Sequence, residues 1–331
     1  MNKKLKKIIC IIVAVFLLGI VLAMLYINFV MKDCLIDKVF VRGDFEYSIS
    51  LKYRYSVILK YTGNDENVDV PNTFLFLPVV KVRESAFEGN KTLKEVNFPK
   101  NMKNIGENAF RDCTSLQQVH FAGTLGYIYP YAFYNCSSLE TLEIPYKEKE
   151  TTILESAFEN CINLTEVNFN DTEVYIEEHA FYNCEKLESV IGEEKIRAAP
   201  DSFDNTAILN NWNNGDYFIL GHWLVKYLGD DTDIIIPDGV TGMSTIVFDE
   251  MQIKTIKMPS GINYFAFFFT YNSEENNSEK VIVYYPKLES FYMPTWVNVL
   301  DAREHIILSS PEGSAVIEYA KENGIEYIIE E

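Results

Sequence analysis

"IGENAFRDCTSLQQVHF" runs from Ile105 to Phe121, and "IYPYAFYNCSSLETLEIP" from Ile128 to Pro145. Both phrases place an aliphatic residue four before an Ala-Phe pair, a cysteine three after the phenylalanine, and a leucine three further on. The frame recurs at Ala86-Phe87, Ala109-Phe110, Ala132-Phe133, Ala157-Phe158 and Ala180-Phe181, at intervals of 23, 23, 25 and 23 residues. Val82, Ile105, Ile128, Ile153 and Ile176 lead these pairs. Asn90, Cys113, Cys136, Cys161 and Cys184 follow them, and then Leu93, Leu116, Leu139, Leu164 and Leu187. Self-similarity at a fixed period in this range is the mark of a solenoid.

One unit cannot hide its apolar side alone. In "LKEVNF" (Leu93 to Phe98), Val96 and Phe98 point one way while Glu95 and Asn97 point the other, because strand side chains alternate. Stacking the same strand from successive units gives a parallel ribbon with a spacing of about 4.8 Å. Phe87, Phe110, Phe133, Phe158 and Phe181 then form one internal file, expected to pack edge-to-face. Cys113, Cys136, Cys161 and Cys184 form a second file, for which buried free thiols are the expectation. A disulfide ladder is the alternative in an oxidising compartment, but rows about 4.8 Å apart exceed the roughly 3.8 Å between bridged Cβ atoms. A zinc site is the other alternative, yet a linear file does not converge on a tetrahedral centre.

The chain begins its phrase twice. "VILKYTGNDENVDVP" (Val57 to Pro71) matches "WLVKYLGDDTDIIIP" (Trp223 to Pro237) in spacing, with Lys-Tyr, Gly and Asp at the same offsets. Apolar residues occupy every odd position from Tyr47 to Tyr61, too long for one strand, so a turn is expected near Lys52 to Tyr55. Gly221-His222 between "YFIL" and "WLVKY" signals a second hairpin. These modules are expected to cap the open ends of the stack. Near the C-terminus, Ser314 is an expected N-cap and Gly324 a stop for a helix with Ala315, Val316, Tyr319 and Ala320 on one face. "IEYIIEE" then closes as a short strand.

The N-terminus points to a compartment. Lys3, Lys4, Lys6 and Lys7 precede an apolar run from Ile8 to Val30, long enough to span a bilayer. The flanking charge predicts a cytoplasmic N-terminus and an extracytoplasmic remainder. Cleavage after Val21-Leu22-Ala23 is the alternative, but Leu25, Tyr26, Ile27, Phe29 and Val30 carry the run past it.

The phrase "IxxxAFxxCxxLxxVxFP" resembles the BspA-like leucine-rich repeats of bacterial surface proteins, as do "IPDGVT" and "GSAVIEYAKENGIEYI". The resemblance covers about residues 45 to 331 and departs from its own pattern at "APDSF" (Ala199 to Phe203) and near Met251. It implies a surface-displayed binding or adhesive role without catalysis. The expected fold is a β-rich solenoid of leucine-rich-repeat type. Its repeats run 22–25 residues, with short parallel strands and irregular or helical convex turns, in two tandem sub-arrays opened by hairpin modules. The expected layout is a cytoplasmic tail (1–7), a transmembrane signal anchor (8–31) and a capping module (35–81). Five to six repeats (82–204), a second hairpin module (205–233) and a second sub-array with a helix-strand cap (234–331) follow.

A net charge of −19 over 331 residues argues against a nucleic-acid partner and against docking on an anionic membrane surface. His120, His179, His222 and His305 are the only histidines, and none has a nucleophile and carboxylate in a triad pattern. Asp230, Asp231 and Asp233 lack the later Gly and Glu of a calcium loop. No cofactor or metal is expected, and no catalytic residue. The partner expected is an extracellular protein or glycan. The outward strand positions are its candidate contacts: Glu95 and Asn97, Gln118 and His120, Thr141 and Glu143, Glu166 and Asn168. A structural, self-associating envelope protein is the alternative, which concentration-dependent light scattering separates from a binder.

Overall fold

The structure is a computed structural model that describes residues 38–123, 125–146, 150–243, 247–248, 253–262, 264–265, 280–288 and 306–330. The apolar run from Ile8 to Val30, His305 and most of the aromatic stretch after Asn263 lie outside the described residues. No helix among the described residues is long and apolar enough to cross a membrane.

The chain enters through three antiparallel strands, β1 (Phe40–Arg42), β2 (Phe45–Ser50) and β3 (Tyr55–Tyr61). The alternating stretch folds back at residues 51–54, as its length requires. β4 (Asn67–Asp69) follows, then a small hairpin of β5 (Thr73–Phe74) and β6 (Leu77–Val82). Each later coil makes two short strands: β7 (Glu95–Phe98) and β8 (Asn104–Ile105), then β9 (Gln118–Phe121) and β10 (Tyr127–Ile128). β11 (Thr141–Glu143) and β12 (Thr151–Ile153), β13 (Glu166–Asn168) and β14 (Val174–Ile176), β15 (Ser189–Ile191) and β16 (Ile196–Ala198) continue the series.

Two parallel ladders result. The even-numbered strands from β6 to β16 pair in order behind β1, β2 and β3 in a ten-stranded sheet that also takes in β5. The other ladder is divided into β4-β7-β9 and β11-β13-β15. The turns between ladders contain no regular helix at the Ala-Phe pairs, and they follow one repeated path. Each holds two residues in left-handed backbone, one just before the alanine (Ser85, Asn108, Tyr131, Ser156, His179) and one two after the phenylalanine (Gly89, Asp112, Asn135, Asn160, Asn183). Gly, Asn and Asp tolerate that conformation best, which accounts for the second set. In the first four turns the phenylalanine N–H donates to the next coil's alanine carbonyl, as in Phe110 N to Ala132 O at 2.7 Å and Phe133 N to Ala157 O at 2.7 Å. In the fifth, Phe181 N–H donates to Ser202 O, which takes the alanine's place.

The aromatic file is real, but its rings stack. Phe87, Phe110, Phe133, Phe158, Phe181 and Phe203 succeed one another at 4.5 to 5.4 Å, with planes 3° to 16° apart. Edge-to-face packing would require alternate rotamers, whereas identical backbone in each coil imposes one rotamer throughout. Phe203 shows that the file runs on through "APDSF". Tyr61 ends it on one side at 5.0 Å, and Phe218 meets Phe203 edge-on at 6.1 Å on the other.

The four repeat cysteines are buried and free. Each thiol donates to the phenylalanine carbonyl of the preceding coil: Cys113 to Phe87, Cys136 to Phe110, Cys161 to Phe133 and Cys184 to Phe158, at 3.1 to 3.3 Å. Burial pushes the Cys113 thiol up to about 12 and raises Cys136 and Cys184 well above the ordinary thiol range. In the first row Asn90 is half-buried. Its Oδ1 accepts from Thr92 N and Leu93 N, both at 2.9 Å.

After a short helix, α1 (Ala207–Asn210), the hairpin of β17 (Tyr217–Leu220) and β18 (Trp223–Tyr227) turns at Gly221-His222. Trp223 and Val225 pack into the first hydrophobic core while Leu224 and Tyr227 pack into a second. One strand thus serves two cores. It is held to the first array by Trp223 Nε1–H donating to Ala198 O at 2.9 Å and by Lys226 against Asp204 at 2.7 Å. β19 (Asp233–Ile235), β20 (Gly242–Met243) and β21 (Thr255–Lys257) supply the second core, β22 (Tyr264–Phe265) pairs with β20, and β23 (Val281–Tyr284) and β24 (Ile306–Pro311) continue the core. α2 (Ala315–Asn323) and β25 (Glu326–Glu330) close it. Ser314 Oγ caps α2 and Gly324 ends it at φ 66°. Its buried residues are Val316, Ile317 and Ala320. Tyr319 packs part-buried against the same core, as the sequence pattern had it, and Ile317 joins that face.

The repeated Lys-Tyr-x-Gly-x-Asp phrase is a lock. Tyr61 OH donates to Asp65 Oδ2 at 3.2 Å, and Tyr227 OH to Asp231 Oδ2 at 3.1 Å. The intervening glycine lies against the ring: a Cβ on Gly63 or Gly229 would fall 2.4 Å from the tyrosine hydroxyl oxygen.

Candidate recognition surface

The eight outward residues lie on four successive strands. Glu95 lies beside Gln118 and Asn97 beside His120 across β7 and β9. Thr141 lies beside Glu166 and Glu143 beside Asn168 across β11 and β13. β9 and β11 carry no regular ladder between them, yet they lie side by side, so the eight residues line one strip. Gln118, His120, Thr141 and Glu143 are exposed, and the other four are half-buried.

Part of this polarity serves the fold. Asn97 Nδ2–H donates to Asp69 Oδ1 at 3.0 Å and to Glu95 Oε1 at 3.1 Å, and His120 Nε2 lies 3.7 Å from Glu95 Oε1. Asn170 donates its side-chain N–H to Glu143 and its backbone N–H to Asn168 Oδ1. β4 and β15 extend the strip at its two ends, adding Asn67 and Asp69 beside Glu95 and Asn97, and Ser189 and Ile191 beside Glu166 and Asn168.

Sequence reading overlooked the outward side of the long sheet. Lys81, Asn104, Tyr127, Thr152, Tyr175 and Arg197 form a single in-register row there. Tyr127 and Tyr175 are 47% and 39% exposed. These are the large aromatic anchors the first strip lacks, and such residues dominate binding energy at interfaces. Arg197 at the row's end pairs with Glu150 and Glu173. Beside it a cleft of about 400 Å³ is lined by Glu194, Arg197, His222 and Trp223 among others. The signal was present in "YIY" and "VYI", where tyrosine alternates with a buried isoleucine.

The three described histidines each lie beside a carboxylate. His179 Nε2 lies 3.1 Å from Asp201, and His222 spans Glu194 at 2.9 Å and the Gly239 carbonyl at 3.0 Å. Asp231 accepts from Tyr227 within its own module, and Asp233 accepts from Thr255 of the neighbouring strand at 2.6 Å, so both carboxylates serve the fold. Among the described residues no three His, Cys, Asp or Glu side chains converge as a metal site.

Two solved structures illustrate the likeness. A leucine-rich repeat protein from T. pallidum is 22% identical over 51% of this chain and 89% of its own, with a TM-score of 0.38. A leucine-rich cell surface protein from Faecalibacterium prausnitzii is 23% identical over 69% of this chain and 72% of its own, with a TM-score of 0.37. No curated protein matches the chain. The family model for the BspA type leucine rich repeat region matches in six copies, over residues 80–210 and 224–280. With more than half of its length so matched, the chain belongs to the BspA-type leucine-rich-repeat family.

Proposed function

We propose that this is a membrane-anchored bacterial surface protein whose coils bind an extracellular protein or glycan, without catalysis. The observation that carries the reading is the in-register display of unlike polar and aromatic side chains on a rigid parallel scaffold, one row per ladder. Each row presents side chains at a spacing of about 4.8 Å, an arrangement that suits extended recognition of a partner along a solenoid. The family supports a protein-binding role. The lysines before Ile8 and the apolar run behind them support anchoring with the coils outside the cell.

The test is capture of partners by cells displaying the full chain, followed by two sets of substitutions. One replaces Glu95, His120, Glu143 and Glu166 by Ala; the other replaces Tyr127 and Tyr175 by Ala. Loss of capture with either set locates the binding row. Undiminished capture with both, in variants of unchanged stability, removes both rows from the account.

A further inference from the structure

The first cap exposes apolar side chains where the backbone is costly to build. β5 and β6 are joined by two residues only, Leu75 and Phe76, with Phe74 opposite Leu77. Both have positive φ, 47° and 64°, a geometry for which hairpins favour Asn-Gly. A side chain in left-handed backbone is strained, and here burial returns nothing, since Phe76 is 98% exposed and Leu75 52%.

Other features share this edge of the sheet. Ser50 faces Tyr55 at the end of the β2–β3 hairpin, and Ser56 lies beside Val79 of β6. The β2–β3 turn and the β5–β6 turn therefore project from one side. The former carries Lys52, Tyr53 and Arg54, all exposed, with the Lys52 ammonium 4.8 Å from the centre of the Tyr53 ring. β1 runs antiparallel to β2, with Phe40 opposite Tyr47, so Lys38 enters at the same edge. Residues 38–61 hold five Lys or Arg against two Asp or Glu, within a chain of net charge −19. The whole-chain charge does not describe this tip.

The chain ahead of Lys38 indicates what the tip faces. The apolar run ends at Val30, only eight peptide steps earlier, a distance of at most roughly 30 Å when fully extended. Building on the membrane-anchor reading above, we propose that this edge docks on the anionic bilayer that holds the anchor. Leu75 and Phe76 enter the boundary between headgroups and acyl chains, Tyr53 lies at headgroup level, and Lys38, Lys52 and Arg54 meet lipid phosphates. Apolar, aromatic and basic side chains in this combination are what interfacial segments use. Docking fixes the cap and leaves the acidic coils projecting from the surface.

The experiment uses the full chain reconstituted in vesicles of phosphatidylglycerol and phosphatidylcholine, with a benzophenone amino acid at position 76 and, as control, at the exposed Tyr146. Lipid adducts at position 76 are expected at roughly tenfold the control level. They should fall several-fold in Lys52→Glu/Arg54→Glu and in vesicles of phosphatidylcholine alone. Leu75→Asn/Phe76→Gly installs the preferred turn, so it should fold at least as well as the parent while losing protection of this hairpin from protease on vesicles. Adducts to residues 1–37, to a second copy, or to lipid at no more than the control level would overturn the proposal. Vesicle flotation at alkaline pH separates the two readings. A chain that floats without the adduct defeats the docking alone, and one that does not float defeats the anchor and the docking together.

Discussion

The Phe110 and Phe133 rings, 23 residues apart in sequence, lie 5.0 Å apart with their planes 6° from parallel. That relation holds, within small variations, for every neighbouring pair in the file. It follows from a backbone that repeats itself: the same turn, the same rotamer, and a translation of about one strand spacing. Energetically each ring is shared by two coils, so its removal opens a gap in both.

Phe133→Ala should therefore destabilise the first core by about 3–5 kcal/mol, the range for a large aromatic deleted from a packed interior. Urea unfolding measures it. Phe133→Ala combined with Phe158→Ala should cost less than the sum of the two, because both changes enlarge one cavity. Additive losses would mean that the rings occupy separate sites.

The thiols should be silent in the folded protein. Cys113, Cys136, Cys161 and Cys184 should resist a thiol reagent at neutral pH and all react once the protein is denatured without reductant. Because burial raises the folded Cys113 value to about 12 from an ordinary 9.0, the protonated form is favoured by folding. Its contribution is fully present below about pH 9 and declines as the pH climbs towards 12, so alkaline titration should lower stability across that window. A flat stability profile there would contradict the buried environment.

Gly63→Ala and Gly229→Ala should each cost about 1–3 kcal/mol, since the new methyl meets its own module's tyrosine hydroxyl. Tyr61→Phe should cost less, about 1 kcal/mol, from the lost bond to Asp65. Thermal unfolding of the three variants tests the order. A silent Gly63→Ala would show that the ring does not lie against the glycine.

Replacing Tyr127 and Tyr175 together by Ala should leave stability nearly unchanged, since both side chains are substantially exposed, while weakening partner capture by more than tenfold if each is worth upwards of about 1 kcal/mol. Binding to a captured partner and urea unfolding, measured on the same preparation, distinguish a recognition role from a packing role.

What the sequence disclosed and what it withheld have physical reasons. The phenylalanine and cysteine files were legible because a buried position tolerates few residues and so recurs visibly. The turn before Tyr55 was legible from length alone. The second ladder was not, since β8 and β10 are two residues each, too short to display a period of two. Ring orientation was withheld because spacing says nothing of rotamers. The Leu75-Phe76 turn carries no Gly or Asn to announce it, and the tyrosine–aspartate lock joins residues whose four-residue separation looks like any loop. Of the candidate surface, the alternation in "EVNF" and "QVHF" disclosed the polar strip, whereas the tyrosine row needed the register between coils to appear.

The account stands on coils that are interchangeable in register, and excision of one coil tests this most directly. Deleting residues 109–131 joins Asn108 to Ala132 and restores the repeated phrase. Small-angle scattering and urea unfolding of that variant should show a folded array shorter by about 4.8 Å, with a single cooperative transition and somewhat reduced stability. A chain that is unfolded, or that loses cooperativity after this excision, would contradict the stacked-coil account.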